Sequence, residues 1–346
     1  MTQKTDFSIL KNLTQLPGIS GRETAVSDYV KKLLTPFADT VRTDALGNLI
    51  FTKKGTSNKN LLLCAHMDEV GLMVHFVDND GFLRFVTVGG IDPRTLLAQR
   101  VWVQTASGPL LGIIGTKPAH ITTEAERSKA VALKDLFIDL GLPAQEAKER
   151  VHPGDFAVLE RSYEEFGEGL ISAKALDNRA GVFVLAEVLR QLKNPFYNVY
   201  AVFTVQEEVG VRGATTAAFG IEADFCLCLD TTGAADIPGV SLQDVLVRVG
   251  AGVGISALDA RTITPKSLFD ALINLCKEKQ IPYQVRIATR GGNDAGAVHL
   301  SKTGVPSCAL SLPTRNIHSN VEVCAQRDIE AMINLVILCA MQAITY

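Results

Sequence analysis

The chain has 346 residues, of which 47% are hydrophobic and 21% are charged, and its net charge at pH 7 is −3. This composition is that of an ordinary globular protein, and the length favours two domains over one core. The small net charge gives no reason to expect nucleic acid or an acidic membrane surface as a partner.

The first 70 residues are predicted to form two helices followed by short strands. Apolar residues recur at helical spacing over 6–16 and 22–38, with a turn at Pro17–Gly18 between them. The segments VRTDA, NLIFTKK and LLLCAH, the last of which covers 61–66, have the composition of strands.

Residues 71–163 differ from their surroundings. They contain short β-rich segments separated by turn signals, and one helix is predicted at about 143–151. After residue 175, helices and strands alternate. The predicted helices are 179–192, 211–219, 265–279, 294–300 and 326–342, and the predicted strands are 198–205, 224–230, 245–249, 283–288 and 306–312.

Alternation of helices and strands predicts an α/β fold with a mostly parallel, doubly wound sheet. The same pattern occurs on both sides of the β-rich stretch. We therefore interpret 71–163 as a small β-rich domain inserted into a discontinuous catalytic α/β domain made of 1–70 and 164–346.

The cysteine pattern bears on the compartment. The seven cysteines are odd in number, lie mostly in apolar runs and form no C-x-x-C pair, which predicts buried reduced thiols. The N-terminal residues lack the long apolar core of a signal peptide. No stretch reaches the roughly 18 uninterrupted apolar residues that a membrane span needs. We therefore expect a cytoplasmic protein without a membrane partner.

Residues that bind divalent metals recur along the chain. They are His66, Asp177, Glu208, Asp230 and His318. Four of the five lie at or just beyond the end of an apolar run, and ligands of open α/β sheets bind at the carboxyl ends of strands. Two histidines and three carboxylates suit two metals that share one bridging carboxylate. The set predicts a two-metal hydrolase, with zinc, cobalt or manganese more suitable than calcium.

Two further acids lie beside these residues. Asp68 shares a strand face with His66, so that one of the two can bind a metal while the other orients it. Glu207 adjoins Glu208, and neighbouring side chains on an extended backbone point to opposite sides. One of these glutamates would bind metal, and the other would act as a general base.

Each residue alone also has a simpler interpretation. Asp177 precedes a predicted helix and by itself is more simply an N-cap. A strand-end histidine beside a solvated aspartate, or two solvated glutamates, would likewise need no metal. The metal interpretation depends on the complete set, because a third acid, Asp230, ends the strand that follows Glu207 and Glu208.

These motifs, in this order, resemble the dinuclear aminopeptidases of metallopeptidase family forty-two. That family includes glutamyl aminopeptidase, deblocking aminopeptidase and the TET peptidases, and some members were formerly labelled endoglucanases. The similarity extends over nearly the whole chain. The matching segments are AHMDEVG, GIIGTKPAH, KDLFIDLG, HPGD, KALDNRAG, FTVQEEVGVRGA, GGNDAGAVH, GVPS and IHS.

The resemblance implies a specific ligand assignment. His66 and Asp230 would complete one metal site, Glu208 and His318 would complete the other, and Asp177 would bridge them. Each subunit would hold two divalent metal ions.

The resemblance also implies the reaction and the assembly. A water or hydroxide bridging the metals, with Glu207 as the catalytic base and Asp68 in support, would hydrolyse the N-terminal peptide bond of short peptides with a free N-terminus. The inserted domain at 71–163 would be PDZ-like and would mediate homo-oligomerisation, from a dimer to a tetrahedral dodecamer.

Three alternatives can be weighed against this interpretation. A related dinuclear amidohydrolase, either a deacylase or a dipeptidase, normally carries its extra domain between the fourth and fifth ligands. Here the insertion falls between His66 and Asp177, which favours the aminopeptidase. An idle assembly protein would lack a ligand or the base, and none is missing. A glycoside hydrolase needs two carboxylates flanking a sugar cleft, whereas these acids alternate with histidines.

Overall fold

The computed structural model of the chain describes residues 5–127 and 129–346. The strands are β1 Thr40–Thr43, β2 Leu49–Lys53, β3 Asn60–His66, β4 Gly71–Val77, β5 Leu83–Val88, β6 Arg100–Thr105, β7 Gly108–Gly115, β8 Phe137–Asp139, β9 Phe156–Leu159, β10 Glu164–Phe166, β11 Leu170–Ala173, β12 Asn198–Thr204, β13 Phe225–Gly233, β14 Val253–Leu258, β15 Tyr283–Ile287, β16 Ser307–Thr314 and β17 Glu322–Ala325. The α-helices are α1 Ser8–Gln15, α2 Thr24–Leu34, α3 Glu124–Arg127, α4 Ala144–Arg150, α5 Leu176–Gln191, α6 Arg212–Phe219, α7 Lys266–Lys279, α8 Ala295–Val298 and α9 Gln326–Met341.

A mixed eight-stranded sheet forms the centre of the molecule, in the order β1-β2-β12-β3-β13-β16-β14-β15. Its four middle strands, β12, β3, β13 and β16, run parallel to one another. Strands β2 and β14 pair with this group in antiparallel fashion, one on each side. The parallel centre agrees with the alternation of helices and strands in the sequence and brings four strand ends to one edge.

Both faces of this sheet are covered by helices. Side chains of a strand alternate between faces, so Leu61 and Leu63 of β3 pack into one apolar core while Leu62 and Cys64 pack into another. The first core includes residues of α1, α2, α5, α7 and α9, and the second includes residues of α6 and α8. All seven cysteines are free and buried.

Strands β4 to β9 close into a separate barrel in the order β4-β5-β8-β7-β6-β9. The barrel has its own apolar core, which includes Leu72, Val101 and Ile138. Its helix α4 agrees with the helix predicted at about 143–151. The sequence did not predict β8, because a three-residue strand is too short to show a periodic pattern.

The strand predicted at 245–249 is wrong. This segment carries no strand, and pairing begins only at Val253. Gly250 and Gly252 have φ angles of +83° and +102°, and both donate their N–H groups to Asp328. The backbone therefore turns away from the sheet before β14 begins, although the apolar pattern continues.

The small antiparallel sheet β10-β11-β17 was also not predicted. Among the described residues, none of the helices is both long enough and apolar enough to cross a membrane.

Candidate metal centre

The five predicted ligands converge at the carboxyl edge of the parallel strands. His66 is the last residue of β3, and Glu208 follows β12. Asp230 lies in β13, which continues beyond it to Gly233. Asp177 lies at the start of α5, and His318 lies in the loop after β16. The parallel register of β3, β12, β13 and β16 is what places these distant segments side by side.

One group of possible ligands forms around His66. Its Nε2 atom lies 3.2 Å from Asp177 Oδ1 and 3.5 Å from Asp230 Oδ1. A second group forms around His318, whose Nε2 atom lies 3.4 Å from Asp177 Oδ2 and 3.3 Å from Glu208 Oε1. The two oxygens of Asp177 thus face different histidines. Its carboxylate points to the imidazoles, so this residue does more than begin a helix.

Polar atoms in this centre lack partners. Asp177 Oδ1 and Glu208 Oε1 are buried and make no hydrogen bond to any described residue. Single ligand atoms from His66, Asp177 and Glu208 all lie within 4.8 Å of one another. Buried carboxylates normally have partners. Unpartnered oxygens beside imidazole nitrogens fit divalent first-row metals, so the residues present suit the metals that the sequence predicted.

The electrostatics of the carboxylates support this conclusion. Burial raises the pKa of Asp230, and the charge of Asp177 adds to the effect. Burial likewise raises the pKa of Glu208, and Asp177 again contributes. Acids forced together away from water repel one another until a cation or a proton neutralises them.

Protons would compete with metal ions for the two histidines. Burial lowers the pKa of His318, but the neighbouring carboxylates of Asp177 and Glu208 outweigh it and raise the pKa to about 12. Asp177 and Asp230 raise the pKa of His66 in the same way against the effect of burial. Because a metal binds the neutral imidazole, its binding must displace these protons.

Asp68 connects the two halves of the centre. Its carboxylate accepts the N–H groups of Glu207 at 3.0 Å and Glu208 at 3.1 Å, and the hydroxyl of Ser20 at 2.6 Å. Its carbonyl oxygen lies 3.0 Å from Nδ1 of His66, whereas its nearest carboxylate oxygen lies 3.5 Å away. Asp68 therefore orients the imidazole through its backbone and holds the loop at residues 207–208 through its side chain.

Glu207 faces a cleft of about 290 Å³ that is also lined by the metal-binding candidates. Burial raises the pKa of Glu207 well above its ordinary value. His66 opposes this shift, and the negative charges of Asp230 and Asp294 add to it. A carboxylate with a raised pKa beside the cleft has the property that a general base needs near neutral pH.

Two residues that contact the candidate ligands were not predicted from the sequence. The buried carboxylate of Glu322 accepts the backbone N–H of Asp177 at 2.8 Å through Oε2 and that of His318 at 2.7 Å through Oε1. The carbonyl oxygen of Gly90, in the loop after β5, lies 2.7 Å from Nδ1 of His318. The only sequence signal for Glu322 is a single acid in the apolar run VEVCA, and Gly90 contributes only its backbone, which gives no signal.

The remaining histidines lie outside this centre. His75, His120 and His152 are exposed residues of the barrel region. His299 is half-buried, and its ring contacts the carbonyl oxygen of Ala295.

Comparison with known proteins gives consistent matches. A family model described as M42 glutamyl aminopeptidase matches residues 47–335. A lysyl aminopeptidase from Pyrococcus furiosus is 32% identical over 95% of this chain and 95% of its own. The structure of a TET aminopeptidase from a marine sediment archaeon of the Thaumarchaeota is 38% identical over 97% of this chain and 96% of its own, with a TM-score of 0.95. The TET1 peptidase of Pyrococcus horikoshii can assemble into a tetrahedron or a large octahedral shell. It is 34% identical over 97% of this chain and 99% of its own, with a TM-score of 0.87.

Proposed function

The chain belongs to the M42 glutamyl aminopeptidase family and is an aminopeptidase, and we propose that it acts through two divalent metals held at the candidate metal centre. The observation that carries this proposal is the position of Asp177. Its two carboxylate oxygens face His66 and His318 separately. A single carboxylate placed between two ligand groups is the arrangement that a bridging ligand requires.

His66 and Asp230 would hold one ion and Glu208 and His318 the other, with Asp177 shared between them. Zinc, cobalt or manganese fits this mixture of imidazole and carboxylate ligands. When bound, two such ions lower the pKa of water and polarise the substrate carbonyl.

The protein groups supply proton transfer and alignment. Glu207 would take a proton from the attacking water and deliver it to the nitrogen of the leaving peptide. Asp68 would keep Glu207 in place, because its carboxylate accepts a hydrogen bond from the backbone N–H of Glu207. Glu322 would keep the backbones of Asp177 and His318 at a set separation, because one carboxylate binds both N–H groups.

We further propose that residues 71–163 form an inserted PDZ-like assembly domain and that 1–70 and 164–346 form the catalytic domain. The closed barrel of β4 to β9 supports this division. Exposed Phe76, Val86 and Ile113 on its strands offer apolar area to other subunits. The related TET1 peptidase forms large shells. Seven free thiols suit the reducing cytoplasm.

The experiment that tests the catalytic proposal compares amino-acyl p-nitroanilides with a free α-amine against their N-acetylated forms. We expect hydrolysis of the free-amine compounds alone. Release of acetate from the acetylated compounds, by hydrolysis of the acetyl–nitrogen bond, would instead identify a deacylase, the closest alternative.

A further inference from the structure

Side chains from the N-terminal part of the chain hold the segment that carries the proposed general base. Residues 205–208, here called the base loop, follow β12 and include Glu207 and Glu208. Its four backbone N–H groups donate, in chain order, to Asn48 Oδ1 at 3.1 Å, Glu23 Oε1 at 3.0 Å, Asp68 Oδ1 at 3.0 Å and Asp68 Oδ2 at 3.1 Å. All three acceptor residues are buried. The course of this backbone therefore depends on buried side chains and not on strand pairing alone.

Of these acceptors, Glu23 has the most specific connection to the base loop. Asp68 belongs to the metal centre, and Asn48 also anchors α6 by donating to the carbonyl oxygen of Gly213 at 2.9 Å. We propose that Glu23 is a positioning residue for the reaction, because it fixes the backbone that carries Glu207. The inference rests on the proposed function, since it takes Glu207 as the general base, and it adds a residue outside the metal centre to that mechanism.

The backbone conformation of Gln206 shows why its hydrogen bond matters. Gln206 has a φ angle of +56°, in the left-handed region that residues other than glycine rarely adopt. Such a conformation persists only when surrounding contacts hold it. Because Glu23 binds the N–H of Gln206, it stabilises the turn immediately before Glu207.

Glu23 is itself held in place. It lies immediately before α2, and its carbonyl oxygen accepts the N–H groups of Val26 and Ser27 at 3.0 and 2.9 Å. Val26 packs into the apolar core that also contains residues of α1 and α5. The Oε1 atom of Glu23 accepts the N–H of Gly21 at 2.7 Å in addition to that of Gln206. The oxygen that holds the base loop therefore belongs to a well-anchored part of the fold.

Glu23 and Asp68 hold different parts of the base loop. Asp68 binds the N–H groups of Glu207 and of the candidate ligand Glu208, whereas Glu23 binds the residue before them. Loss of Glu23 should therefore leave Glu208 held at the metal centre and shift mainly the approach to Glu207. A misplacement of about 1 Å can cost about 100-fold in rate, so the loss should appear in kcat more than in metal binding.

The first test compares two variants that differ in whether the acceptor is kept. Glu23→Gln retains a side-chain oxygen for both N–H groups, since one oxygen of Glu23 accepts them, whereas Glu23→Leu removes it. The substrate is the amino-acyl p-nitroanilide that the wild-type protein hydrolyses fastest, at saturating zinc. We expect kcat of Glu23→Leu to fall by about 10- to 100-fold, with KM and metal content close to normal. Glu23→Gln should keep kcat within a few-fold.

Three results of this comparison would overturn the inference. They are an unchanged kcat in Glu23→Leu, equal losses in Glu23→Leu and Glu23→Gln, and a loss of metal in place of a loss of kcat.

A double variant shows whether Glu23 acts through Glu207. The base is already absent in Glu207→Gln, so adding Glu23→Leu should lower kcat by no more than about two-fold. Losses that multiply would show that Glu23 supports the site by another route. The series also separates the two proposals. Near-normal turnover in Glu207→Gln refutes the base, whereas a large loss there with none in Glu23→Leu refutes only the positioning role.

Hydrogen exchange measures the backbone without relying on turnover. In Glu23→Leu, the amide groups of the base loop should exchange about 5- to 10-fold faster than in the wild-type protein, the ratio that corresponds to the loss of one hydrogen bond. The amides of the barrel strands should keep their rates. Unchanged exchange in the base loop would refute the positioning role.

Asp78→Leu is the matched control. Asp78, between β4 and β5 of the barrel, also accepts two backbone N–H groups through one oxygen, those of Asp80 at 3.1 Å and Phe82 at 2.9 Å. It lies at the other end of β5 from the loop that contacts His318. Its loss should lower thermal stability and leave kcat within a few-fold. An equal fall in kcat would overturn the inference.

Glu23→Asp provides the test if Glu23→Leu does not fold. It keeps the carboxylate but is shorter by one methylene group, so its oxygen is withdrawn from Gln206. We expect the same selective loss of kcat, and a normal kcat in this variant would contradict the inference.

Discussion

Two clusters of buried charge lie on either side of the start of α5, and they differ in how completely the protein satisfies them. In the first, Lys174 Nζ lies 2.7 and 2.8 Å from the two carboxylate oxygens of Glu69, and Arg179 Nη2 lies 3.3 Å from Oε1. Arg179 also donates to the backbone carbonyl oxygens of Leu13, Leu16, Gly18 and Met67. Each charged side chain in this cluster therefore has hydrogen-bond partners within the protein, without any ligand.

The second cluster is the metal centre, and it is incomplete. Buried oxygens of Asp177 and Glu208 have no hydrogen-bond partner in the described part of the chain. Its carboxylates lie beside histidines, and among residues 5–127 and 129–346 neither a lysine nor an arginine forms an ion pair with Asp177, Glu208 or Asp230. Buried charge needs a partner. The first cluster therefore stabilises the fold, whereas the second is arranged to receive cations.

Removal of metal should abolish the function of the second cluster and leave the contacts of the first cluster intact. We expect chelator-treated protein to lose all hydrolysis of amino-acyl p-nitroanilides and to recover it with zinc, cobalt or manganese. Circular dichroism should show that the secondary structure persists. Turnover that continues after metal analysis shows complete removal would end the two-metal proposal.

Glu207→Gln should impair catalysis without emptying the centre. We expect turnover to fall by about 10²- to 10⁴-fold, the usual contribution of a general base, while metal content stays at the normal ratio. The exposed Glu222→Gln is the matched control. Near-normal turnover in Glu207→Gln would exclude this residue as the base.

Arg179→Met should mainly lower the stability of the fold, because it removes a member of the first cluster. It removes the donor for several buried carbonyl groups and one partner of Glu69. Breaking a buried pair in this way costs about 3–5 kcal/mol of the free energy of unfolding. Urea denaturation measures the change. Lys266→Ala, which breaks an exposed pair with Asp270, should have almost no effect. Equal stability of the two variants would show that the buried cluster does not support the fold.

Glu322 lies between the two clusters, and we expect Glu322→Gln to have the smallest effect of these changes, a loss of metal affinity. The amide keeps one acceptor oxygen but places an NH₂ group opposite the second backbone N–H, so one of the two ligand backbones loses its anchor. We expect metal affinity to fall by about 10- to 100-fold, as for other residues that orient ligands, with the fold retained. Metal titration measures this, with exposed Glu164→Gln as the control. Unchanged affinity would show that Glu322 does not position the ligands.

Local sequence patterns predicted much of this molecule correctly. Apolar runs located the parallel strands β3, β12, β13 and β16, and the polar residues at their ends identified the candidate ligands. The pattern failed at residues 245–249, because apolar alternation continues through Gly250 and Gly252, where the backbone turns. It also missed β17, whose partner β11 lies far away in the sequence.

In this protein the amino-acid pattern alone located the central parallel strands, because the spacing of apolar residues reflects which side chains are buried. It also determined which residue types are available at the strand ends. Three further features depend on tertiary packing: Glu322 binds the backbones of two candidate ligands, the carbonyl oxygen of Gly90 in the barrel region lies beside His318, and Arg286 lines the cleft. These contacts join residues that are distant in sequence, often through backbone atoms that every residue carries. No local pattern can encode them, because their partners are set by how the sheet and the barrel pack together.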